Sequence, residues 1–325
     1  MHKVIVVGDA VVDIIVPYPK LLNEERTRVE YPVPCIQGGG TAANTAVALS
    51  RLEIPTGFIG TIGDDQYGRY IVRDFKNECI DTEQLIIESD LNTVGVFAFI
   101  DETGERYLWG WPRVDQAFKV LDMSKINMET IHNASWIHSS GMAIVHDTSA
   151  RSSIIRIFKE AYKRGIPTSF DLNLRVDQGS LDEKYKEAVL EVIKYSSYVL
   201  GSADEEFRYL GDSEDPIENA RAFVNNNRTV IARLGKQGSY GLSVDEEVIA
   251  EAFNVEVVDT VGAGDVYNAG FIAAVLQGCS LKDSLIIGNA VSGYTVGQKG
   301  ARNCPHKDEL NVFLKKHNSD VAAGW

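Results

Sequence analysis

Short apolar runs alternate along much of this chain with longer segments in which apolar residues recur at every third or fourth position. Runs of the first kind are typical of buried strands, and segments of the second kind are typical of helices that bury one face. From residue 135 onward, strands are predicted at 136–138, 167–170, 198–200 and 230–234, and helices at 148–164 and 183–194. Because the two kinds of segment alternate, the pattern predicts a parallel sheet with helices on both faces.

The amino-terminal part shows this alternation of strand-like and helix-like segments only in places. Across the rest of the chain, strands are predicted at 3–8 and 56–59, and helices at 42–52, 67–79, 281–296 and 307–316. Residues 10–35 and 92–113 instead carry only strand-like patterns, with an edge strand at 27–34 and a hairpin turn at 101–104. These two stretches predict a small separate sheet, which would serve as a lid beside the α/β core.

The segment from Val258 to Gly270 combines a glycine-rich turn with an acidic residue. The β-branched run Val255–Val258 predicts a strand, and helical spacing begins after Gly262-Ala263-Gly264. Bare amide N–H groups at the start of a helix form an anion site. The charge of Asp265 would repel an anion, but a carboxylate there suits a base that takes a proton from an attacking hydroxyl. An anion site beside such a base is what phosphoryl transfer to an alcohol requires, whereas the alternative is an ordinary helix N-cap.

The full motif Asp-Thr-x-Gly-Ala-Gly-Asp-x-x-Asn-Ala-Gly resembles the carboxyl-terminal signature of the ribokinase-like (PfkB) carbohydrate kinases, and the resemblance extends over nearly the whole chain. It implies an α/β fold with a doubly wound, mostly parallel central sheet, helices on both faces and a small β-sheet lid. Residues 1–325 would form one kinase domain, with the lid at about 10–35 and 92–113 inserted in the core. The implied activity is ATP-dependent phosphorylation of a primary hydroxyl of a small sugar. Asp265 would be the general base, and Gly262, Ala263 and Gly264 the anion hole.

The resemblance also implies a sugar site near the amino terminus. Gly39, Gly40 and Asn44 match the family pattern Gly-Gly-x-x-x-Asn, in which these residues hold substrate hydroxyls. Asp13 follows the first strand, where the family has a sugar-binding aspartate. Arg175 ends the run Asp-Leu-Asn-Leu-Arg and would meet the transferring phosphate or an acidic group of the substrate. Each of these residues also has a structural alternative. The glycines could form a flexible joint, Asp13 could be a solvated loop acid, and Arg175 could be a surface arginine.

Further matches imply a site for ATP and its metal. The implied nucleotide-binding residues are Gly235, Gly238, Asn289 and Gly300. Glu205 would help to organise Mg²⁺ through water, although Ser202 replaces the asparagine of the family pattern, as Leu172 replaces a proline in the run before Arg175. Asp259 occupies the place where some relatives bind a monovalent cation such as K⁺. The implied cofactors are therefore ATP and Mg²⁺, with K⁺ as a further candidate.

Composition narrows the choice of partners and of compartment. The chain has 46 acidic and 32 basic residues, and its net charge of −14 disfavours nucleic acid and anionic membranes as partners. The sequence contains no apolar stretch of the roughly 20 residues that a membrane-spanning helix needs. The four cysteines are far apart and have no paired metal spacing. These features predict a cytoplasmic protein that acts on small molecules.

Two other functions remain open on the sequence. One is a nucleoside kinase of the same fold, in which Trp109 and Trp111 of the predicted lid would stack on a base; they could equally cover a sugar or pack the lid. The other is a catalytically idle regulator that binds sugar or nucleotide. The presence of Asp265 disfavours this, because an idle protein needs no base.

The predicted lid also suggests an assembly. Apolar residues alternate at Val29, Tyr31 and Val33 and at Val94, Val96 and Ala98. A small sheet with exposed apolar positions and free edges favours pairing with a second chain. Ribokinase-like enzymes often dimerise through their lids, so we expect a homodimer. The alternative is a monomer in which Pro32 and Pro34 prevent edge pairing.

Overall fold

A computed structural model describes residues 3–17, 33–100, 106–319 and 321. Its strands are β1 (Val4–Val7), β2 (Val11–Pro17), β3 (Cys35–Gly39), β4 (Thr56–Gly63), β5 (Leu85–Glu88), β6 (Gly95–Ile100), β7 (Arg106–Trp111), β8 (Trp136–Ser140), β9 (Thr168–Asp171), β10 (Tyr198–Ser202), β11 (Thr229–Arg233), β12 (Ser239–Leu242) and β13 (Glu247–Ala250). Its α-helices are α1 (Thr41–Arg51), α2 (Gln66–Asn77), α3 (Met128–His132), α4 (Ser149–Lys163), α5 (Glu183–Lys194), α6 (Pro216–Arg221), α7 (Ala263–Leu276), α8 (Leu281–Val296) and α9 (Lys307–Lys316).

The central sheet has nine strands in the order β13-β12-β11-β10-β9-β8-β1-β4-β5. Strands β11 to β5 of this order are parallel, and only β12 and β13 run antiparallel to their neighbours. The chain adds β4 on one side of β1 and later returns to place β8 on the other side. The mostly parallel, doubly wound sheet predicted from the alternating segments is thereby confirmed.

Alternation along β1 shows how the sheet separates two hydrophobic layers. Val4 and Val6 pack in a cluster that includes residues of α1, α7 and α8, while Ile5 and Val7 pack in a second cluster with residues of α4 and α5. All four side chains are buried. Because successive residues of a strand point to opposite faces, a continuous apolar run is what a strand covered on both faces requires.

A second, four-stranded sheet has the order β3-β2-β6-β7, and we call it the lid sheet. It confirms the small separate sheet expected from the strand-like stretches. The predicted hairpin turn and most of the predicted edge strand at 27–34 lie outside the described residues. The described strand that follows them is β3, and it contacts α2 through a hydrogen bond of 3.0 Å from the Tyr70 hydroxyl to the Ile36 carbonyl oxygen.

The strand predicted at Val255–Val258 is wrong. The last strand is β13, which forms an antiparallel hairpin with β12, and residues 251–260 are irregular. The amides of Val258 and Asp259 both donate to the carbonyl oxygen of Val296 at the end of α8, at 2.7 and 3.1 Å. Val257 and Val258 are exposed. Their β-branched side chains find no neighbouring strand, and strand propensity depends on such a partner.

Candidate active site

The carboxyl ends of the parallel strands meet at one edge of the central sheet. The chain reverses its direction of strand addition between β1 and β8, which makes this edge a topological switch point, where open α/β sheets bind ligands. Polar or charged residues stand at or directly after these strand ends. They are Asp9 after β1, Asp171 at the end of β9, Ser202 at the end of β10 and Arg233 at the end of β11.

Helix α7 begins at this edge and carries Asp265 in its first turn. Gly262 caps the helix with a φ of 73°, in the left-handed region that favours glycine. A methyl group placed on Gly262 would lie 2.1 Å from the Cβ of Ala301, well inside van der Waals contact. Conformation and space therefore both require glycine here. The Ala263 amide donates to the carbonyl oxygen of Thr260 at 3.3 Å, and an anion site at this turn stays a prediction.

Asp265 is buried and receives a hydrogen bond from α1. The Asn44 side-chain nitrogen donates to Oδ2 of Asp265 at 2.8 Å, and the Thr45 hydroxyl donates to the Asp265 carbonyl oxygen at 3.0 Å. Burial raises the pKa of Asp265 well above its ordinary value, and the Asn44 bond opposes that rise. The amino-terminal and carboxyl-terminal motifs thus meet at one carboxylate.

The other predicted sugar-site residues surround the start of α1. A methyl group on Gly39 would lie 2.4 Å from Oδ2 of Asp13, so the Asp13 carboxylate lies directly over that glycine. Gly40 caps α1 with a φ of 100°. Asp9 accepts hydrogen bonds from the Thr41 and Ala42 amides at 2.9 and 3.3 Å. The structure therefore brings Asp13, Gly39 and Gly40 to the same end of α1 as Asn44.

A buried ionic cluster, which the sequence analysis did not predict, lies under the first turn of α7. Arg233 donates to Asp171 at 2.8 Å, to Glu206 at 3.3 Å and to the side-chain oxygen of Asn268 at 2.8 Å. A methyl group on Gly264 would lie 3.2 Å from Cζ of Arg233, so the guanidinium packs against the helix turn itself. Arg233 lies two residues before Gly235, a predicted nucleotide-binding residue, but only the parallel sheet places it near Asp171.

Glu205 and its neighbour Glu206 point in different directions. Glu205, the predicted organiser of Mg²⁺, is exposed, whereas Glu206 is buried and accepts hydrogen bonds from the Ser202 and Leu174 amides at 2.5 and 3.0 Å. Burial raises the pKa of Glu206 to about 7, although Arg233 opposes the rise. The acid that faces the ionic cluster is thus one position later than the predicted one. Two adjacent glutamates give no sequence signal for which of them is buried.

Two of the predicted nucleotide-binding residues contact the exit of the β12–β13 hairpin. A methyl group on Gly238 would lie 2.0 Å from the carbonyl oxygen of Ala250, and the Asn289 side-chain nitrogen donates to that same oxygen at 2.9 Å. Asn289 is buried, and this bond to Ala250 gives its amide nitrogen a partner within the protein. Gly235, by contrast, has a φ of 57° and no neighbouring atom within 4 Å of the position of a Cβ. The loop after β11 therefore has open space next to the Cα of Gly235.

Asp259 holds two backbone segments together. Its Oδ1 accepts from the Val261 amide at 2.9 Å, and its Oδ2 accepts from the Gly300 amide at 2.8 Å. A methyl group on Gly300 would lie 2.7 Å from the side-chain nitrogen of Gln37 in β3. Gly300 therefore lies between the turn before α7 and the lid sheet, and its role in binding the nucleotide stays a prediction.

Arg175 is exposed, and within the described residues it forms no ion pair. Its nearest polar contact is the sulfur of Met142, at 3.2 Å from Nε. Its charge lowers the pKa of Asp9, whose burial otherwise raises that value. The guanidinium is thus open to solvent, and its charge reaches Asp9 beside the start of α1.

The lid tryptophans lie on the face of the lid sheet opposite Asp13. Asp13 is paired with Val96, and Trp109 is paired with Phe97, so alternation places Asp13 and Trp109 on opposite faces. The rings of Trp109 and Trp111 have centroids 5.9 Å apart, and the two residues are 46% and 53% exposed.

The apolar lid residues predicted to be exposed are only partly so, because Val33 is 87% exposed whereas Val94 and Ala98 are not exposed. Val94 and Ala98 are buried, and the exposed apolar face carries Tyr107, Trp109 and Trp111. Val29 and Tyr31 lie outside the described residues. The error arises because the periodicity of a strand shows that its faces differ but does not show which face is covered.

No predicted site residue lines a surface cavity of about 620 Å³ between the carboxyl ends of α1 and α2 and the start of α9. Among the described residues, no group of three His, Cys, Asp or Glu side chains is placed to hold a metal ion. In the same part of the chain, no helix is long and apolar enough to cross a membrane.

A buried carboxylate in the first turn of α7 is hydrogen-bonded to the glycine-capped start of α1 at a switch point, which is an arrangement suited to a phosphotransferase. The chain belongs to the pfkB family of carbohydrate kinases, whose sequence description matches residues 1–308. It is an ATP-dependent phosphotransferase that acts on a hydroxyl group of a carbohydrate.

Similar proteins agree with this assignment. The chain is 31% identical to the ATP-dependent ribose-1-phosphate kinase of Halopiger xanaduensis, over 86% of this chain and 87% of that protein. It is 29% identical to a fructokinase of Vibrio alginolyticus, over 97% and 99%. An E. coli protein provisionally named ribokinase II, solved with ATP and Mg²⁺, has the same fold with a TM-score of 0.85. That structure is 21% identical and covers 98% of this chain and 100% of its own.

Proposed function

We propose that the enzyme transfers the γ-phosphoryl group of ATP to a primary hydroxyl of a small sugar, with Asp265 as general base. The observation that carries the proposal is the 2.8 Å hydrogen bond between Asn44 and Asp265. It joins the residue expected to hold the sugar to the residue expected to deprotonate it. A base must lie within hydrogen-bond reach of the proton that it removes, and this pairing supplies that proximity.

The anion hole follows from the start of α7. The amides of Gly262 to Gly264 precede the first intrahelical bonds of α7, and the positive end of its dipole lies behind them. They would stabilise negative charge on the transferring phosphoryl group, which is the main task of a protein in this reaction. Arg233 adds positive charge against the same turn.

The sugar would lie at the amino end of α1. Asp13 and Asn44 would bind its hydroxyls, and Gly39 and Gly40 would let it approach the backbone closely. Oδ1 of Asn44 is buried and has no hydrogen-bond partner among the described residues, although its amide nitrogen is already used. A sugar hydroxyl that donates to this oxygen would satisfy it.

ATP would lie on the other side of α7, with Gly235 and Gly238 beside its phosphates. Oδ2 of Asp171 is buried and has no hydrogen-bond partner among the described residues, which suits a nearby hard cation or its water. Glu205 and Glu206 would hold Mg²⁺ through water, and the metal would neutralise the phosphates when bound. A K⁺ ion at Asp259 would share that carboxylate with two backbone amides and stays a prediction.

The sugars that give two relatives their names differ in charge. Ribose 1-phosphate, which gives one relative its name, is an anion, and fructose, which gives another its name, is neutral. The solvent-facing guanidinium of Arg175 would bind a carboxylate or phosphate of an anionic acceptor in a bidentate manner. We therefore place anionic sugars ahead of neutral ones.

The test is a phosphotransfer assay with ATP and Mg²⁺. The acceptor panel would contain ribose 1-phosphate, 2-keto-3-deoxygluconate, fructose, ribose, adenosine and pseudouridine. Turnover of a sugar supports the proposal, and turnover of only the nucleosides would establish the nucleoside kinase instead. Binding without turnover of any acceptor would favour the idle regulator.

Arg175→Met provides the second arm of the test, with Arg164→Met at the end of α4 as a surface control. For an anionic acceptor, we expect the first variant to raise the KM of the sugar by about tenfold or more, since hydrogen bonds to charged groups contribute about 1.5–3 kcal/mol. If both variants match the parent enzyme, Arg175 does not bind the acceptor.

A homodimer through the lid sheet also belongs to this proposal. Exposed aromatic residues on one face of a small sheet favour burial against a second copy. In such a dimer, Trp109 and Trp111 would lie in the interface and would not stack on the substrate of their own subunit.

A further inference from the structure

We propose that Arg302 is a positioning residue that locks the base of the lid sheet to the turn supporting the anion hole, so that the sugar and nucleotide halves of the site form together. The inference relies on the proposed function only for the identity of the two halves. The contacts that support it are all between residues of this chain and involve no ligand.

Arg302 lies in a short 3₁₀ turn, residues 301–303, and is 7% exposed. Its Nε donates to the carbonyl oxygen of Gly38 in β3 at 2.9 Å. Its Nη2 forms an ion pair with Asp74 of α2 at 3.1 Å, and its Nη1 donates to the carbonyl oxygen of Ala43 in α1 at 3.5 Å. A single side chain thus contacts the end of a lid strand and two helices of the core.

Gly38 leaves room for this arrangement. A methyl group placed on it would lie 2.3 Å from Oδ2 of Asp74 and 2.4 Å from Nη2 of Arg302. The ion pair therefore packs directly against the lid strand, one residue before the predicted sugar-binding glycines Gly39 and Gly40. Any shift of this strand would have to displace an ion pair between the buried Arg302 and the half-buried Asp74.

The same turn supports the nucleotide side of the site. The Cβ of Ala301 closes the space over Gly262, the left-handed cap of α7, and the Gly300 amide donates to Asp259 at 2.8 Å. Residues 300–302 therefore contact the anion-hole turn with one end and the lid strand with the other. The carbonyl oxygen of Arg302 also accepts from Arg51 of α1 at 2.6 Å, which holds the turn against the core.

Arg302 acts through these neighbours and not on the substrate. It is buried, and its three nitrogens face Gly38, Ala43 and Asp74. Burial raises the pKa of Asp74, and the guanidinium opposes that rise, so each group limits the electrostatic penalty of burying the other. Lysine could not replace this geometry, because a single ammonium cannot meet Gly38 and Asp74 in the planar arrangement of a guanidinium.

A rigid link of this kind couples the two ligands. When a sugar orders the lid base, the turn under the anion hole is ordered with it, and ATP then binds to a prepared site. Such coupling is reciprocal, and it commonly changes each affinity by about 5–150-fold.

The variants for the test are Arg302→Met, Arg302→Lys and Asp74→Asn. The matched control is Arg228→Met. Arg228 also anchors two backbone carbonyls, those of Ser196 and Phe223, but at the opposite end of the sheet. Asp74→Asn keeps the shape of the side chain and removes only its charge. It therefore tests the ion pair with Arg302 if Arg302→Met does not fold.

The first measurement is amide hydrogen exchange in the absence of ligands. We expect Arg302→Met and Asp74→Asn to accelerate exchange in residues 36–45 and in residues 259–266 together, whereas Arg228→Met changes neither segment. Acceleration in only one of these segments, or the same pattern in the control, would overturn the inference. This outcome does not depend on which reaction the enzyme catalyses.

The second measurement is the Kd of the sugar with and without a non-hydrolysable ATP analogue, using the acceptor that the assay identifies. The parent enzyme and Arg228→Met should show tighter sugar binding with the analogue. Arg302→Met and Arg302→Lys should lose at least fivefold of that enhancement. An unchanged enhancement in both Arg302 variants would refute the coupling. Absence of phosphotransfer by the parent enzyme would refute the proposed function and leave the exchange test valid.

Discussion

Asn44 and Asp265 are 221 positions apart in the chain, yet their side chains share a buried hydrogen bond of 2.8 Å. The bond exists because α1 and α7 pack side by side on one face of the central sheet, each with its amino end at the switch point. It ties the residue proposed to hold the substrate to the proposed base. It also gives Asn44 two separable effects, one on binding and one on the ionisation of Asp265.

Asp265→Asn should abolish most of the turnover and leave ligand binding largely intact. General-base assistance typically contributes about 10²–10⁴-fold, and asparagine keeps the size of the side chain but cannot take the proton. Single-turnover kinetics with ATP and the identified acceptor measure the loss in kcat, and calorimetry measures binding. A loss of less than tenfold in kcat would remove Asp265 from the role of base.

Asn44→Ala and Asp13→Ala should differ in their pH profiles. Both variants should raise the KM of the sugar more than the KM of ATP, because an unmet hydroxyl costs about 1–3 kcal/mol. The base works only when ionised, so activity falls as the pH drops through the pKa of Asp265. The Asn44 bond opposes the upward shift of this pKa.

Removing Asn44 should therefore raise the pKa of Asp265 further and move the acidic limb of kcat to higher pH. Asp13→Ala should leave that limb in place. Equal effects of either variant on the two substrates would indicate that the residue supports the fold and not the sugar.

Gly262→Ala should lower the thermal stability and kcat much more than Gly165→Ala does. Both glycines have left-handed backbones, with φ values of 73° and 67°, so both variants pay a similar conformational penalty of about 1–2 kcal/mol. Only Gly262 faces a second obstacle, since its new methyl group would meet Ala301 at 2.1 Å, whereas nothing lies within 4 Å at Gly165. Thermal unfolding and kcat are the readouts. Similar values for the two variants would show that the turn can relax around the added methyl group.

Arg233→Met should destabilise the protein by about 3–5 kcal/mol, because it leaves Asp171 and Glu206 buried without their cation. Burial already raises the pKa of Glu206, and losing Arg233 would raise it further. A carboxyl whose folded pKa exceeds its unfolded value loses stability as the pH rises between the two.

The destabilisation relative to the parent protein should accordingly be larger at pH 8 than at pH 5, as measured by urea unfolding. Arg69→Met, which breaks an exposed pair with Asp64, is the control and should change stability by at most about 1 kcal/mol. A pH-independent difference would show that removing Arg233 does not change the pKa of Glu206.

Light scattering over a dilution series tests the dimer. The proposed assembly has twice the mass of the 35.8 kDa chain, and Trp109→Ser should shift its dissociation to higher protein concentration. Val312→Ser removes an apolar residue of α9 with 67% exposure and should not change the assembly. A mass near 36 kDa for the parent protein at micromolar concentration would exclude the dimer.

Most of the longer elements were accessible from local patterns, whereas the short elements β5, α3 and α6 were not predicted, and the false strand lies where a neighbouring strand matters. Helices α8 and α9 have the predicted bounds, since their periodicity and termini are local properties. Val255–Val258 has the same β-branched composition as a true strand but meets the end of α8 instead of another strand. The hairpin of β12 and β13 was not predicted, and it forms the edge of the sheet beside β11.

The sequence by itself determined the α/β class, the glycine cap before α7, the acid in its first turn and the family of the enzyme. These depend on residue type and on spacing over a few positions, where backbone geometry acts directly. Only the tertiary structure decided which acid of Glu205 and Glu206 is buried, that Arg233 joins Asp171 under α7, and that Arg302 reaches the lid strand. Burial and long-range ion pairs depend on how distant segments pack, and neighbouring residues in the chain carry no record of that packing.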